Sequence, residues 1–290
     1  MHEFSLRFLR CVRCGGKLEL DILEKKHEIK EGFLSCSNCN LDFPIILEVP
    51  ILWDNFSTYL STRTKLGGML ILQASSQKMK SFVKKSLAKV RKPKEDRTSI
   101  EKRWAKIYQN SQKSKFYSEI KKSLRKIPKS QLALEHGCSI GNISKFLAIR
   151  SKIAFGIDRS FNAISIAKKN FAKNLDYFVA DSFSHPFGRQ KFDLIVALNM
   201  LELIEPKQFL KTVSQQTSKF VFLSDPYDFD RGIHSIKTPM DSTLLRKELK
   251  KHKFSIINST KKPSFIPWNL QINSRATLQY KVDLIVGKKL

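Results

Sequence analysis

Short apolar segments that each end at a polar residue recur through the second half of the chain. Apolar positions at helical spacing in residues 160–173 predict a helix between two of these segments. Strands that alternate with helices predict an α/β fold with a parallel sheet, and such sheets bind ligands at the carboxyl ends of their strands. We therefore expect the polar residues to meet at one edge of the sheet. The segments are residues 132–134 before Glu135, residues 153–158 ending in Asp158, residues 176–181 ending in Asp181, and residues 192–198 before Asn199.

Later apolar segments predict the rest of this sheet. A helix is predicted at residues 241–252, and residues 261–279 predict a long loop between the last two strands. Loops of this length are more often functional than idle, so we expect this one to shape a substrate pocket. Its candidates for contact with a substrate are Trp268, Asn269, Asn273 and Arg275. The three further predicted strands are residues 219–229, 253–259 and 280–289.

A turn of small residues joins the first predicted strand to a helix-like segment. Residues 135–141 read Glu-His-Gly-Cys-Ser-Ile-Gly. Glycine allows positive φ and a close approach of the backbone to a ligand. The unpaired N–H groups at the start of the following helix offer donors to a polar ligand. An ordinary strand-to-helix turn explains the same residues equally well.

The turn and the ordered polar strand ends resemble a class I S-adenosylmethionine-dependent methyltransferase over roughly residues 130–290. The resemblance implies a Rossmann-like, seven-stranded sheet whose last strand is antiparallel. It implies that Asp158 binds the ribose hydroxyls of the cofactor, since a carboxylate accepts two hydrogen bonds at once. Ser139 stands where the middle glycine of the family's turn is usual. The cofactor-binding residues implied are Glu135, Gly137, Gly141, Asp158, Asp181 and Ser182, although Asp158 and Asp181 taken singly also suit plain strand-end or capping roles.

Three polar residues are candidates to border the methyl acceptor. Asn199 follows the fourth strand, where an amide can orient an acceptor, and it is equally suited to cap the helix that follows. Asp225 and Tyr227 follow the fifth strand in the sequence Asp-Pro-Tyr-Asp. Asp225 could hold a nitrogen substrate and Tyr227 could stack on it, or Pro226 could simply make the turn rigid.

Two Cys-x-x-Cys pairs lie near the amino-terminal end of the sequence. Cys11, Cys14, Cys36 and Cys39 have the spacing of a closed four-thiolate structural zinc site, with disulfides as the alternative. With the residues that follow, Leu-Asp-Phe-Pro-Ile and Val-Pro-Ile-Leu, residues 8–54 resemble the small zinc-ribbon proteins that bind and activate methyltransferases of the translation machinery. The ribbon could recognise a substrate or serve as a packing scaffold.

A basic segment separates the two halves. Residues 55–130 are dense in lysine and arginine, with apolar residues such as Trp104 and Tyr108 at helical spacing, and Pro93 is expected to separate two helices. The pattern around these aromatic residues resembles the lid of class I methyltransferases. We therefore expect a zinc-ribbon module at residues 1–54, a basic helical linker or lid at 55–130 and a methyltransferase domain at 131–290.

The charge of the chain bears on its partners. The formal net charge is +27, from 53 basic and 26 acidic residues. This excess favours RNA or an acidic protein surface as a partner of residues 78–130, although a lysine-rich proteome or a solvated helix face would produce the same pattern. No segment is long and apolar enough to span a membrane or to serve as a signal peptide, so a cytoplasmic location is expected.

These observations predict an enzyme. We expect methyl transfer from S-adenosylmethionine to RNA or protein of the translation machinery. We also expect a structural zinc ion, and a partner subunit is compatible with these observations. One alternative is a non-catalytic zinc-ribbon interaction protein whose methyltransferase domain is degenerate. Another is a small-molecule methyltransferase, which would turn over without a macromolecule.

Overall fold

The computed structural model describes residues 1–91, 94–232 and 236–290, so the break expected at Pro93 lies outside the described residues. Short 3₁₀ turns occupy Glu3–Arg7, Phe229–Gly232 and Asn258–Thr260. The helices are α1 (Phe56–Ser61), α2 (Thr64–Gln73), α3 (Gln77–Ala88), α4 (Thr98–Asn110), α5 (Lys115–Arg125), α6 (Asn142–Arg150), α7 (Phe161–Ala167), α8 (Pro206–Gln216) and α9 (Ser242–Lys251). The strands are β1 (Glu19–Lys25), β2 (Ile29–Cys36), β3 (Leu41–Ile46), β4 (Val49–Leu52), β5 (Ser130–His136), β6 (Ser151–Asp158), β7 (Leu175–Ala180), β8 (Phe192–Leu198), β9 (Thr217–Asp225), β10 (Phe254–Ile256), β11 (Ile266–Gln271) and β12 (Thr277–Lys289).

The second half of the chain forms the predicted α/β sheet. Its strands lie in the order β7-β6-β5-β8-β9-β12-β10. The first five are parallel, and β12 runs antiparallel to both β9 and β10. The prediction of an α/β fold with an antiparallel last strand is confirmed, and these seven strands are joined by β11 as an eighth in this half. The parallel strands bring their carboxyl ends to one edge of the sheet.

The strand count of the whole sheet exceeds the prediction. In the part of the chain that the structure describes, twelve strands form one sheet, because β1 to β4 continue it beyond β7. The second addition is β11, which pairs with β12 from Ile266↔Val282 to Gln271↔Thr277. The prediction of a long loop at residues 261–279 is therefore wrong for much of its length, since this segment returns along β12 as one arm of a hairpin.

The amino-terminal module joins the catalytic sheet through β4. Ile51 pairs with Val179 and Leu52 with Ala180, in parallel. This parallel pairing aligns the carboxyl end of β4 with the carboxyl ends of the catalytic strands. Trp53, which follows β4, lies with its ring 5.2 Å from the Tyr59 ring and 5.6 Å from the Arg159 guanidinium. The module therefore reaches the edge where a ligand is expected.

Neighbouring residues of the central strands pack into cores on opposite faces of the sheet. Ala133 and Tyr177 belong to the core beneath α1 to α7, whereas Leu134 and Phe178 belong to the core beneath α8, α9 and the amino-terminal residues. Successive side chains of a strand point to opposite faces, so strands covered on both sides read as nearly continuous apolar runs. This explains the apolar segments of the sequence.

A buried network of charges joins the module to the catalytic domain. The Lys168 Nζ atom lies 2.5 Å from Glu28 Oε2, in the module, and 2.6 Å from Asp176 Oδ1, on β7. Ser5 Oγ donates to the second oxygen of Asp176 at 2.6 Å. Lys168 follows α7 directly, so the predicted helix at residues 160–173 ends at Ala167 and Phe171 beyond it is exposed.

Two further expectations concern helices. The predicted helix near residue 241 is confirmed as α9, with the Asp241 carboxylate accepting the N–H groups of Thr243 and Leu244. Within residues 1–91, 94–232 and 236–290, no helix combines the length and the apolar character needed to cross a bilayer.

Candidate functional site

A cavity of about 500 Å³ opens between the carboxyl ends of β5, β6 and β8 and the helices α4 and α5. The turn at residues 137–140 forms one side of it, and Ile100, Trp104 and Tyr108 of α4 form the opposite side. Its size is that of a small-molecule or cofactor site. Of the predicted site residues, Glu135, Gly137, Asp158 and Asn199 line this cavity.

The glycines of the turn are required by close contacts and by backbone conformation. Gly137 has φ +64° and Gly141 has φ +76°. An added Cβ would lie 2.2 Å from the Met200 sulfur at Gly137 and 2.4 Å from the Tyr177 hydroxyl at Gly141. Ser139 has φ +48°, so it adopts the left-handed conformation in which the family's turn usually has glycine.

Asp158 lies at the end of β6 and holds the turn with its carboxylate. Oδ2 accepts the backbone N–H of Ser139 at 2.9 Å, and Oδ1 accepts that of Ser160 at 2.8 Å. Burial raises the pKa of Asp158, and the N–H groups of Ser160 and Ser139 oppose that shift. Each carboxylate oxygen can accept a further hydrogen bond, so the group retains capacity for the hydroxyls of a ligand.

Glu135 lies deeper, at the end of β5. Its Oε2 accepts the Ser144 hydroxyl at 2.5 Å, and only 3% of the residue is exposed. Burial raises the pKa of Glu135 to about 8, against the opposing hydrogen bonds from Ser144. The group is therefore a neutral acid at pH 7, and a cationic ligand that displaced its proton would find a carboxylate at the base of the cavity.

One face of α4 covers the cavity. Its residues Glu101, Trp104, Ala105 and Tyr108 all line the cavity, and Ala105 packs on Ile140 and Ala163 across the turn. Their spacing of three and four places them on one face of the helix. The lid predicted around Trp104 and Tyr108 therefore lies over the site.

An ion pair fixes the start of this helix. Glu101 accepts two hydrogen bonds from Arg63, at 2.6 and 3.2 Å, and the Arg63 guanidinium lies 4.3 Å from the centre of the Tyr59 ring. Sequence reasoning missed both charged residues, because a pair separated by 38 positions leaves no local signal. The sequence signal that could have identified Glu101 is its helical spacing from Trp104 and Tyr108, which places the three residues on one face of a helix.

Asn199 stands where the fourth strand meets the cavity. Its φ is +54°, its backbone N–H donates to the Ser224 carbonyl at 2.7 Å, and its Oδ1 accepts the Ser224 hydroxyl at 2.9 Å. Because Ser224 takes the amide oxygen, the Nδ2 group is the end of the side chain left for a ligand. The capping alternative for Asn199 is wrong, because α8 begins only at Pro206.

Asp225 and Tyr227 are not among the described residues that line the cavity. The Asp225 carboxylate accepts the N–H groups of Leu201 at 2.9 Å and of Tyr227 at 2.8 Å. The Tyr227 hydroxyl donates to Asp283, which is paired with Arg246. These bonds hold the turn after Asn199 and the segment that follows β9. The two side chains therefore have structural contacts in place of the predicted contact with an acceptor.

Asp181 and Ser182 also lie apart from the described cavity lining. Asp181 accepts the Phe183 N–H at 2.8 Å, and its second oxygen lies 3.7 Å from the Arg159 Nε atom. Arg159 in turn covers the ring of Trp53. The predicted contact of Asp181 and Ser182 with an adenine would therefore require the Arg159 side chain to share this edge with the ligand.

Aromatic rings form part of the cavity wall. Trp268, which the sequence singled out within the 261–279 segment, lines the cavity with Phe116, Tyr117 and Tyr108. The rings of Tyr108 and Trp268 are stacked, with an interplanar angle of 5°. Asn269, Asn273 and Arg275, the other candidates of that segment, are not among the described lining residues.

The four cysteines of the module come together. The sulfur atoms of Cys11, Cys14, Cys36 and Cys39 all lie within 4.8 Å of one another, as a tetrahedral zinc site with Zn–S bonds of about 2.3 Å requires. The Gly16 N–H donates to Cys14 Sγ at 3.4 Å, and a Cβ at Gly16 would lie 3.2 Å from that sulfur. The donor set and its close packing therefore fit Zn²⁺.

Two segments of the chain match known families. Residues 133–218 match the family described as "Methyltransferase domain", and residues 3–46 match the family described as "Trm112p-like protein". No curated protein sequence matches the chain significantly.

Solved structures of methyltransferases resemble part of the chain. Magnesium protoporphyrin IX methyltransferase from Synechocystis PCC 6803, with bound SAH, is 16% identical, with a TM-score of 0.49 over 67% of this chain and 95% of that one. A TehB-like SAM-dependent methyltransferase from Corynebacterium glutamicum is 17% identical, with a TM-score of 0.48 over 66% of this chain and 99% of that one. N-methyltransferase NodS from Bradyrhizobium japonicum is 16% identical, with a TM-score of 0.46 over 61% of this chain and 98% of that one.

The glycine turn lies within the segment that matches the methyltransferase family, and the four-cysteine cluster lies within the segment that matches the Trm112p-like family. The chain therefore carries a segment that matches Trm112p-like proteins and a segment that matches methyltransferase domains in one polypeptide.

Proposed function

We propose that this protein transfers a methyl group from S-adenosylmethionine to RNA or protein of the translation machinery. The observation that carries the proposal is the cavity bounded by the glycine turn, the Asp158 carboxylate and the Asn199 amide at the carboxyl edge of the sheet. S-adenosylmethionine, when bound, supplies an electrophilic methyl group on a sulfonium.

The turn and the two buried acids are suited to the cofactor. Asp158 would receive the ribose hydroxyls, since each of its oxygens has capacity beyond its backbone bond. Glu135, Gly137 and Gly141 would receive the amino-acid end, where a cation favours loss of the Glu135 proton. Asp181 and Ser182 would reach the adenine at the edge shared with Arg159.

Chain residues on the other side of the cavity would hold the acceptor. Methyl transfer is an in-line displacement, so positioning supplies much of the catalysis. Asn199 would orient the acceptor atom through its Nδ2 group. Asp225 would act through the turn it holds by the Leu201 N–H, and Tyr227 through its bond to Asp283.

We propose that the zinc-ribbon module supports its own catalytic domain. Two features favour this role over that of a free substrate-recognition arm. The strand β4 extends the catalytic sheet at β7, and the buried Glu28 carboxylate pairs with Lys168 of the catalytic domain. The edge of β4 is thereby occupied by β7 of the same chain.

The proposal is tested by the fate of a labelled methyl group. Isotope-labelled S-adenosylmethionine is incubated with the protein and a lysate of source cells that lack its gene, and the RNA, protein and small-molecule fractions are separated. We expect label in RNA or protein, and none with Asp158→Ala. Asp193→Ala is the matched control, because this carboxylate accepts the Gln131 N–H at 2.7 Å at the opposite end of the sheet. Label only in small molecules, or in no fraction, would overturn the proposal.

A further inference from the structure

A second carboxylate faces the cavity close to Asp158. Glu101 of the lid helix α4 and Asp158 at the end of β6 both line the cavity. Burial is the largest cause that raises the pKa of Asp158, and the nearby Glu101 charge raises it further. The lid therefore places a carboxylate of its own within electrostatic reach of the carboxylate that ends β6.

Contacts between α4 and α7 fix where Glu101 lies. The Asn162 Nδ2 group donates to the carbonyl of Thr98, which begins α4, at 3.4 Å. Ala105, on the other side of Glu101, packs on Ala163 of α7. Glu101 therefore lies against the start of α7, and this helix begins just after β6.

Arg63 holds the Glu101 carboxylate in this position. The Nε and Nη2 groups of Arg63 donate to the two carboxylate oxygens at 3.2 and 2.6 Å, and Nη1 donates to the Tyr59 carbonyl at 3.3 Å. The Tyr59 hydroxyl in turn donates to the carbonyl of Arg159, the residue next to Asp158, at 3.1 Å. The Arg63 and Glu101 side chains are 4% and 11% exposed. The ion pair is therefore fixed against the strand end that carries Asp158.

Both carboxylates keep acceptor capacity for a ligand. A carboxylate offers about four acceptor positions. Glu101 uses two of them for Arg63, and Asp158 uses two for backbone N–H groups. A hydroxyl has a single proton to donate, so two neighbouring hydroxyls are matched by two separate acceptors. The arrangement suits a ligand with a pair of adjacent hydroxyls.

We propose that Glu101 is a cofactor-binding residue contributed by the lid, and that Glu101 and Asp158 each accept one ribose hydroxyl of S-adenosylmethionine. This inference rests on the proposed function and refines its ribose site, since it divides the two hydroxyls between two carboxylates. Arg63 is a positioning residue, because it acts through Glu101. The ribose thereby links α4 to the end of β6, and the bound cofactor holds the lid closed.

The test uses ligands that lack one hydroxyl. S-adenosylhomocysteine and its 2′-deoxy and 3′-deoxy analogues compete with labelled S-adenosylmethionine for the zinc-loaded protein. The wild type should bind each analogue at least about tenfold more weakly than S-adenosylhomocysteine, because each analogue lacks one hydrogen bond to a charged group.

Glu101→Gln should remove one of these two preferences. The amide has one acceptor oxygen, which Arg63 takes, so its NH₂ group cannot accept the proton of a hydroxyl. The variant should bind S-adenosylhomocysteine at least about tenfold more weakly than the wild type and no longer prefer it to one of the two analogues. Its preference over the other analogue, which Asp158 provides, should remain. A purely structural ion pair would lower the affinity for all three ligands by the same factor.

Two further variants complete the test. Arg63→Lys keeps the charge but cannot make the paired hydrogen bonds, so it should reduce the same preference as Glu101→Gln by a smaller factor. Glu119→Gln makes the same charge change on α5, outside the described cavity lining, and should change neither the affinity nor the preferences. Thermal denaturation verifies that each variant is folded.

The outcomes separate this inference from the proposed function. A folded Glu101→Gln variant that keeps both preferences would overturn the inference alone. So would a wild type that binds either analogue as tightly as S-adenosylhomocysteine, and this comparison needs no variant. Absence of S-adenosylmethionine binding by the wild type would overturn both the inference and the proposed function.

Discussion

Replacing Lys168 with methionine should weaken the joint between the zinc-ribbon module and the catalytic domain. The Lys168 ammonium lies 2.5 Å from Glu28 and 2.6 Å from Asp176, and the three side chains are 6%, 7% and 0% exposed. Methionine has a similar length and no charge, so the substitution leaves Asp176 buried without its ion-pair partner.

The expected loss follows from the remaining contacts of Asp176. Breaking a buried ion pair by removing one partner costs about 3–5 kcal/mol. Asp176 keeps the Ser5 hydroxyl at 2.6 Å and the His2 N–H at 2.9 Å, which favours the lower end of this range. A loss of about 3 kcal/mol in the free energy of unfolding corresponds to a fall of about 6–12 °C in Tm.

The pH dependence supplies a second signature of the same network. Burial alone would raise the pKa of Asp176, but Lys168 beside it lowers that pKa to about 2. Since the folded-state pKa lies below the unfolded value, the stability that Asp176 contributes is present above about pH 4 and is lost as the pH falls towards 2. The gap in stability between wild type and Lys168→Met should therefore narrow in acid.

The assay is chemical denaturation of both proteins at several pH values. Lys78→Met is the matched control, because Lys78 lies 2.6 Å from Asp21 in an exposed pair that should contribute less than about 1 kcal/mol. Adding Asp176→Asn to Lys168→Met should recover part of the loss, since Glu28 keeps the Met1 ammonium at 3.1 Å and the buried Asp176 charge is removed. A loss for Lys168→Met no larger than that for Lys78→Met would refute the reasoning.

Three further predictions concern the turn, the metal and the buried acid. Ser139→Gly should raise the free energy of unfolding by about 0.5–1 kcal/mol, because glycine adopts the φ of +48° without strain. A fall of that size in the free energy of unfolding, measured by chemical denaturation, would contradict this. Cys36→Ser should abolish stoichiometric zinc, measured by elemental analysis, and lower Tm; full zinc content would count against the four-thiolate site. Affinity for S-adenosylmethionine, measured by calorimetry, should rise from pH 6 to 8 as Glu135, whose pKa is raised to about 8, loses its proton, and Glu135→Gln should flatten that rise. The raised pKa also means that the contribution of Glu135 to folding stability is present below its unfolded pKa of about 4.5 and is lost as the pH rises through 8.

Local sequence signals located the parts of the site that the chain builds from neighbouring residues. The apolar run before Glu135, the glycines at 137 and 141, and the strand ending in Asp158 all lie within one strand-turn-helix-strand unit. Of the residues predicted there, Glu135, Gly137 and Asp158 line the cavity. The same reasoning located the lid face at Trp104 and Tyr108, because helical spacing fixes which residues share a face.

Contacts between distant segments were beyond such signals. The pairing of β4 with β7 depends on which sheet edge is free, and no pattern within Val49–Leu52 records its partner. The placement of Asp225 depends on the Leu201 N–H, which comes from the turn after a neighbouring strand. The sequence predicts a loop where β11 forms. Ile266, Trp268 and Leu270 alternate as in a strand, but Pro267 cannot donate to a strand ladder and so argues against one.

Equilibrium binding of S-adenosylmethionine to the purified, zinc-loaded protein tests the central claim most directly. The account predicts saturable binding of one molecule, weakened at least about thirtyfold by Asp158→Ala and unaffected by Asp193→Ala, with both variants folded. Absence of binding by the wild type, or equal affinity in Asp158→Ala, would contradict the assignment of this cavity to the cofactor.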